Sequence, residues 1–246
     1  MSVFLLIVLV LVLSVAGYVL GRGRVMAQSS GNARHMHSLP AYYGWHGAIM
    51  AAVPALLLMT IWLIVQPLVI ERSIVADLPP EMISDASART LMMADVRRVA
   101  DGLDVAVAQG AMTDLRADMI RTEFTDVRQR LAEVGVALGS NVTAPVLAAA
   151  QDYRTMNATG AIARGIAVLL LAIAGLAYAL RVTNPDFRAR NRVEQVILAL
   201  LILASTIAIL TTVGIVASML SESIRFFTMY PAADFLARLA VFTMVP

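Results

Sequence analysis

VILALLILASTIAILTTVGIVASML, residues 196–220, carries no Asp, Glu, Lys or Arg. A helix needs about 20 mainly apolar residues to cross the hydrocarbon core of a bilayer, and this run is long enough. Three other stretches read the same way: residues 3–21, about 49–70, and 165–180. The third is short, and Arg164 at its edge would lengthen the usable span by extending its stem toward the headgroups. Composition agrees with four crossings. Hydrophobic residues make up 59% of the chain and charged residues 15%, where soluble domains average roughly 45–50% apolar, and mean hydropathy is +0.78. The fold expected is all-α: a polytopic membrane protein with four transmembrane helices and a small extracytoplasmic helical bundle.

The basic residues set the orientation. All are Arg, since the chain has no Lys. The loop 22–43 holds Arg22, Arg24 and Arg34 with no acid, and the loop 181–194 holds Arg181, Arg188, Arg190 and Arg192 against Asp186 and Glu194. The positive-inside rule puts both in the cytoplasm. The N-terminus, residues 71–160 and the C-terminal tail then lie outside. The first run lacks a basic leader and is followed by Gly-Arg-Gly-Arg, so it reads as an uncleaved anchor and not a signal peptide. Four regions follow: a first transmembrane hairpin (1–70), an outer helical domain (71–160), a third span with its Arg-rich loop (161–195), and a fourth span with an outer tail (196–246).

Residues 71–160 hold thirteen Asp or Glu against nine Arg, and their apolar residues recur at helical spacing. Met92, Val96, Val99 and Leu103 form one seam; Ala117, Ile120, Phe124, Val127, Leu131, Val134 and Leu138 form another. Gly110 followed by Thr113 and Asp114 gives a stop and a new N-cap. Gly139, Ser140 and Asn141 mark a further break, and Thr143 with Pro145 restarts a helix. Pro79 and Pro80 separate the first outer helix from the second span. The expectation is two long helices and a shorter third.

Little in the chain suggests chemistry. It has no Cys, which excludes disulfides, thiolate catalysis and Cys-bound metals. His35, His37 and His46 lack an acid between residues 22 and 70 to complete a metal site. There is no phosphate-binding P-loop or dinucleotide fingerprint, so the chain is not its own motor, and nothing points to nucleic acid. No catalytic, cofactor or metal residue is assigned. Tyr42, Tyr43, Trp45 and Trp62 read as headgroup anchors, Pro54 and Pro67 as tolerated prolines with the capacity to kink the second span, and Gly17-x-x-x-Gly21 and Gly214-x-x-x-Ser218 as close helix approaches. No charge falls at the centre of any span, which counts against a proton-coupled carrier or an ion channel built from these helices alone.

Longer runs carry a resemblance. HSLPAYYG (37–44) continuing into AAVPALLLMTIW (51–62), and NPDFRARNRVE (184–194) followed by ILASTIAILTTVGIVASMLSESIRFF (202–227), resemble the N-terminal part of phosphate ABC transporter permease subunits of the PstC type. The resemblance implies a membrane component of an ATP-driven phosphate importer in the bacterial inner membrane, not itself an enzyme. It also implies a second permease subunit, separate ATP-binding subunits and a periplasmic phosphate-binding protein as partners. The fourth span would be the first core helix of the permease, preceded by an N-terminal extension. The remaining core helices are expected on a longer or separate chain, so this one should not transport by itself. Asp186, Phe187, Arg188, Arg190, Asn191, Arg192 and Glu194 are the candidate contacts to a cytoplasmic partner or to the lipid bilayer. The competing reading is a sensory or assembly protein with an outer ligand-binding bundle. Only the short loop 181–194 separates the third and fourth spans, which leaves no room for a signalling output.

Overall fold

The computed structural model describes residues 2–29, 36–82, 85–120 and 142–229, with isolated positions 129, 132 and 135. The described residues form helices and no strand. The principal ones are α1 (Val3–Gln28), α2 (Pro40–Asp77), α3 (Ala86–Ala108), α4 (Asp114–Met119), α5 (Ala144–Val182) and α6 (Ala189–Met229), with a single 3₁₀ turn at Pro80–Met82. Four of them, α1, α2, α5 and α6, are long and apolar enough to cross a membrane. The chain divides into two units, residues 1–187 and 188–246.

In the first unit α2 and α5 form the frame. They contain 38 and 39 residues, so each is about 57–59 Å long at 1.5 Å per residue, against about 30 Å of hydrocarbon. The excess length carries a helical head, built on the less apolar ends of the two helices. The short third outer helix expected after Pro145 is therefore not separate. It is the first half of α5, which runs on from Thr143 and Pro145 into the span. The hydropathy change near residue 160 marks a change of solvent, and the backbone hydrogen bonds of a helix continue across it.

The head has a side-chain core. Ile74 of α2 and Leu78 just after it, Val96 and Leu103 of α3, and Leu147 and Ala150 of α5 are buried together. The expected α3 seam is there, with Met93 fully buried and Met92 packed at its edge. α2 ends at Asp77 before the two prolines, and Asp85 caps α3 by accepting from the Ala88 amide at 2.6 Å. At the other end of α3, Gly110 takes a φ of +74°. The amides of Ala111 and Gly110 bond the carbonyls of Ala106 and Val107, both at 3.0 Å. This is the Schellman closure that a left-handed glycine permits. Thr113 then caps α4 through the Arg116 amide at 3.3 Å.

The second seam is described only at its start, Ala117 and Ile120. Ala117 is buried and Ile120 packs on the core, but α4 stops at Met119 and Ile120 is extended. Gln151 of α5 donates to the carbonyls of Ala117 at 2.9 Å and Ile120 at 3.0 Å. It serves carbonyls that a helix end leaves without partners. Phe124, Val127, Leu131, Val134 and Leu138, like the break at Gly139 to Asn141, lie outside the described residues.

In the membrane half of this unit α1 joins α2 and α5. Leu6, Val10, Ala55, Met59, Val168 and Ala172 make a small core, and backbones meet at glycines. A Cβ on Gly17 would stand 2.8 Å from the Gly47 carbonyl oxygen, and one on Gly21 2.6 Å from that of Tyr43. Gly47 and Gly175 are equally confined, by the carbonyls of Gly17 and Met50. The Gly17/Gly21 pair is a packing motif here. α2 runs as one helix through both Pro54 and Pro67.

The second unit is described from α6 alone, one helix of 41 residues. Its threonines 206, 211 and 212 bond back to carbonyls of their own helix at 2.8–3.0 Å, which satisfies their hydroxyls without a polar lining. Within this unit a Cβ at Gly214 would meet nothing.

Candidate functional site

Two stretches that stand far apart in sequence meet at one end of the first unit. The Pro185 carbonyl accepts from the Tyr43 hydroxyl at 3.0 Å and from the His37 amide at 3.1 Å. The Phe187 ring lies 4.9 Å from the buried imidazole of His46. So the segment HSLPAYYG that opens α2 holds the segment that follows α5. The Arg-bearing end of α1 is here too, because Gly21 packs on Tyr43. Arg22, Arg24 and Arg181 therefore share one end of the bundle, as the charge distribution required.

Of the predicted contact residues, Asp186 is exposed and Phe187 half-buried in the first unit. Arg188, Arg190, Asn191, Arg192 and Glu194 belong to the second, and all five are exposed. Arg190 pairs with Glu194 at 2.6 Å, one helical turn apart. His37 is exposed and His46 buried. His35 lies outside the described residues.

Two polar clusters escaped the sequence reading. In the head, Arg154 of α5 is 8% exposed and binds three carboxylates: Asp104 at 2.7 Å, Asp114 at 2.7 Å and Asp118 at 2.5 Å. One guanidinium thus ties α3, α4 and α5 together. Burial by itself would lower its pKa, but hydrogen bonds to Asp104 and Asp114 and the charges of Asp104 and Asp118 outweigh it, and the pKa stands above the ordinary arginine value. Arg154 stays charged. The acids recur at helical spacing, but nothing in the sequence identifies Arg154 as their common partner.

The second cluster sits where the head meets the membrane half. Gln66 of α2 donates to the Asn157 side chain at 2.9 Å. Its amide oxygen accepts from Trp62 Nε1 at 3.0 Å and from Arg164 at 3.3 Å. Gly160 makes room for it: a Cβ there would come within 2.7 Å of the Gln66 amide nitrogen. Arg164 is therefore buried, with 8% exposed, and turns toward α2. Its guanidinium does not stand free in solvent, as a stem extended from the end of a span would, because Gln66 offers it a hydrogen-bond acceptor between the helices. A lone Gln in an apolar span was the available signal.

Four membrane-length helices, a head raised on two of them and clustered arginines at the opposite end define a multi-pass membrane protein. A family model described as phosphate ATP-binding cassette transporter matches residues 7–177. The chain belongs to this phosphate ABC transporter family. The match takes in α1, α2, the head and most of α5, and stops short of residues 184–194. No curated protein and no solved structure matches the chain significantly.

Proposed function

We propose that the chain is a permease component of an ATP-driven phosphate importer in the bacterial inner membrane, with its N-terminus and head on the periplasmic side. The observation that carries this reading is the family match over residues 7–177. The shared position of Arg22, Arg24 and Arg181 supports the orientation, since Arg favours the cytoplasmic side. In this reading α1, α2, the head and α5 are an added module, and α6 corresponds to the opening helix of the permease core. ATP hydrolysis belongs to separate subunits. A second permease subunit and a periplasmic phosphate-binding protein complete the assembly.

Asp186, Phe187, Arg188 and the α6 residues Arg190, Asn191, Arg192 and Glu194 then face the cytoplasm, where ATP-binding subunits or anionic headgroups meet them. The head stands on the binding-protein side and modulates access to it. Affinity purification of the tagged chain from its own cells should recover a phosphate-importer ATPase, and its consistent absence would remove the permease reading. For the head, residues 79–143 are replaced by a Gly/Ser linker in the assembled importer. Phosphate uptake unchanged at every substrate concentration would refute its role in access.

A further inference from the structure

Between α2 and α5 runs a groove of about 540 Å³, within the roughly 300–1,000 Å³ of small-molecule sites. Leu58, Ile61, Val65 and Val69 of α2 and Met156 and Thr159 of α5 line it, and its wall is almost wholly apolar. Along α2 the lining starts inside the apolar span and passes Glu71, the first charged residue beyond it. The groove thus spans the change from apolar to charged sequence, where a bilayer's hydrocarbon would give way to headgroups. Trp62 and Gln66 also form its wall, and Arg164 lies one hydrogen bond behind Gln66.

The charge there is unbalanced. Among the described residues no carboxylate pairs with Arg164, whose one hydrogen bond is to Gln66. A guanidinium offers five N–H donors. Removed from water, a cation needs a counter-charge and acceptors for those donors. An anion attached to an apolar chain matches both halves of the site: the Gln66 amide on the wall with the Arg164 charge one hydrogen bond behind it, and a greasy wall beside them. Free phosphate would leave the wall uncovered.

We propose that this groove seats a phospholipid, one acyl chain lying along the apolar wall and the phosphodiester held at the Gln66–Arg164 cluster. The site is independent of the import reading and requires only that α2 and α5 cross a membrane. The chain has two tryptophans, so Trp45→Phe leaves Trp62 as a reporter inside the groove. That variant is reconstituted in phosphatidylcholine vesicles containing either brominated phosphatidylglycerol or brominated diacylglycerol with the same chains. Phosphatidylglycerol should quench Trp62 several-fold more effectively at equal content. Arg164→Gln should bring the ratio close to one, Arg164→Lys should keep part of it, and Thr159→Phe, which fills the groove, should weaken quenching by both. Equal quenching by the two lipids in the parent, or a preference that survives Arg164→Gln, overturns the proposal. So does loss of the preference on adding inorganic phosphate, which would reassign the site to the free anion. Circular dichroism identifies any variant that fails to fold. If Arg164→Gln does so, Arg164→Lys and Thr159→Phe decide: both behaving like the parent overturns the proposal.

Discussion

α2 and α5 are held together twice, by different means at their two ends. In the membrane half the contact is backbone on backbone, Gly175 of α5 against Met50 of α2, with Ala55 and Ala172 buried beside it, and α1 joins α2 in the same way at Gly17 and Gly47. In the head, α2 and α5 contribute Ile70, Ile74 and Leu147 to a core shared with Met93, Val96 and Leu103 of α3. The solvent accounts for the change. Lipid tails are as apolar as Leu, so helices in a bilayer gain by close approach and not by hiding apolar surface. In water each buried Å² of apolar surface contributes about 25 cal/mol, and large side chains are favoured. One helix can change its packing chemistry along its length without a break in its backbone.

Substitutions of opposite sense should break the two halves. Gly47→Leu pushes a side chain into the Gly17 carbonyl and should cost about 3 kcal/mol or more, the upper end for overpacking, because backbone has to move. The chain has no Cys, so cysteines placed at Ser14 and Ala48, which share a 3.2 Å hydrogen bond, report on α1–α2 packing without background. Their cross-linking should collapse in Gly47→Leu and persist in Leu103→Ala. Leu103→Ala acts only on the head, where the cavity should cost about 2–4 kcal/mol, seen as faster hydrogen exchange in α3. Loss of cross-linking in both variants would show that the halves fold as one unit and that the distinction has no energetic content.

Much of this division is legible in the sequence, and the remainder is hidden for identifiable reasons. The four spans, the stops at Pro79 and Gly110, the restarts at Thr113 and Thr143 and the Gly17/Gly21 contact depend on local chemistry, which a linear reading captures. The end of α4 at Ile120 does not, because the side chain that serves its carbonyls, Gln151, comes from another helix. The continuity of α5 was obscured by its change of solvent. Both polar clusters join residues dozens of positions apart, Gln66 to Arg164 and Arg154 to Asp104, so only the fold reveals them. Of the candidate contacts in the first unit, the sequence named Asp186 and Phe187 but not the bonds of the neighbouring Pro185 carbonyl to Tyr43 and His37 or the Phe187 contact with His46.

The electrostatics of the head sharpen the comparison further. Arg154→Met keeps the stem's bulk but leaves Asp104, Asp114 and Asp118 facing one another. Breaking a buried ion pair costs about 3–5 kcal/mol. Here the carboxylates are 59%, 77% and 39% exposed and water screens them, so about 2 kcal/mol is expected. The residual repulsion should fall as salt is added. Thermal unfolding of the variant should therefore shift upward with ionic strength more than that of the parent. An equal salt response in the two proteins would mean that Arg154 acts through packing alone.

The smallest effect belongs to the ion pair between Glu71 and Arg97, which also joins α2 to the head. Its length, 2.8 Å, is close to the Arg154 contacts, but its side chains are 33% and 47% exposed, against 8% for Arg154. At this exposure the Coulomb attraction is diluted by water and opposed by the entropy of holding two long side chains, leaving about 0.2–1 kcal/mol. A double-mutant cycle of Glu71→Gln and Arg97→Gln should return a coupling in that range that vanishes at high salt. A coupling comparable to the Arg154 effect would mean that Glu71, the first charge after the apolar span, lies in a drier layer than its exposure indicates, and the boundary between the two packing regimes would move outward along α2.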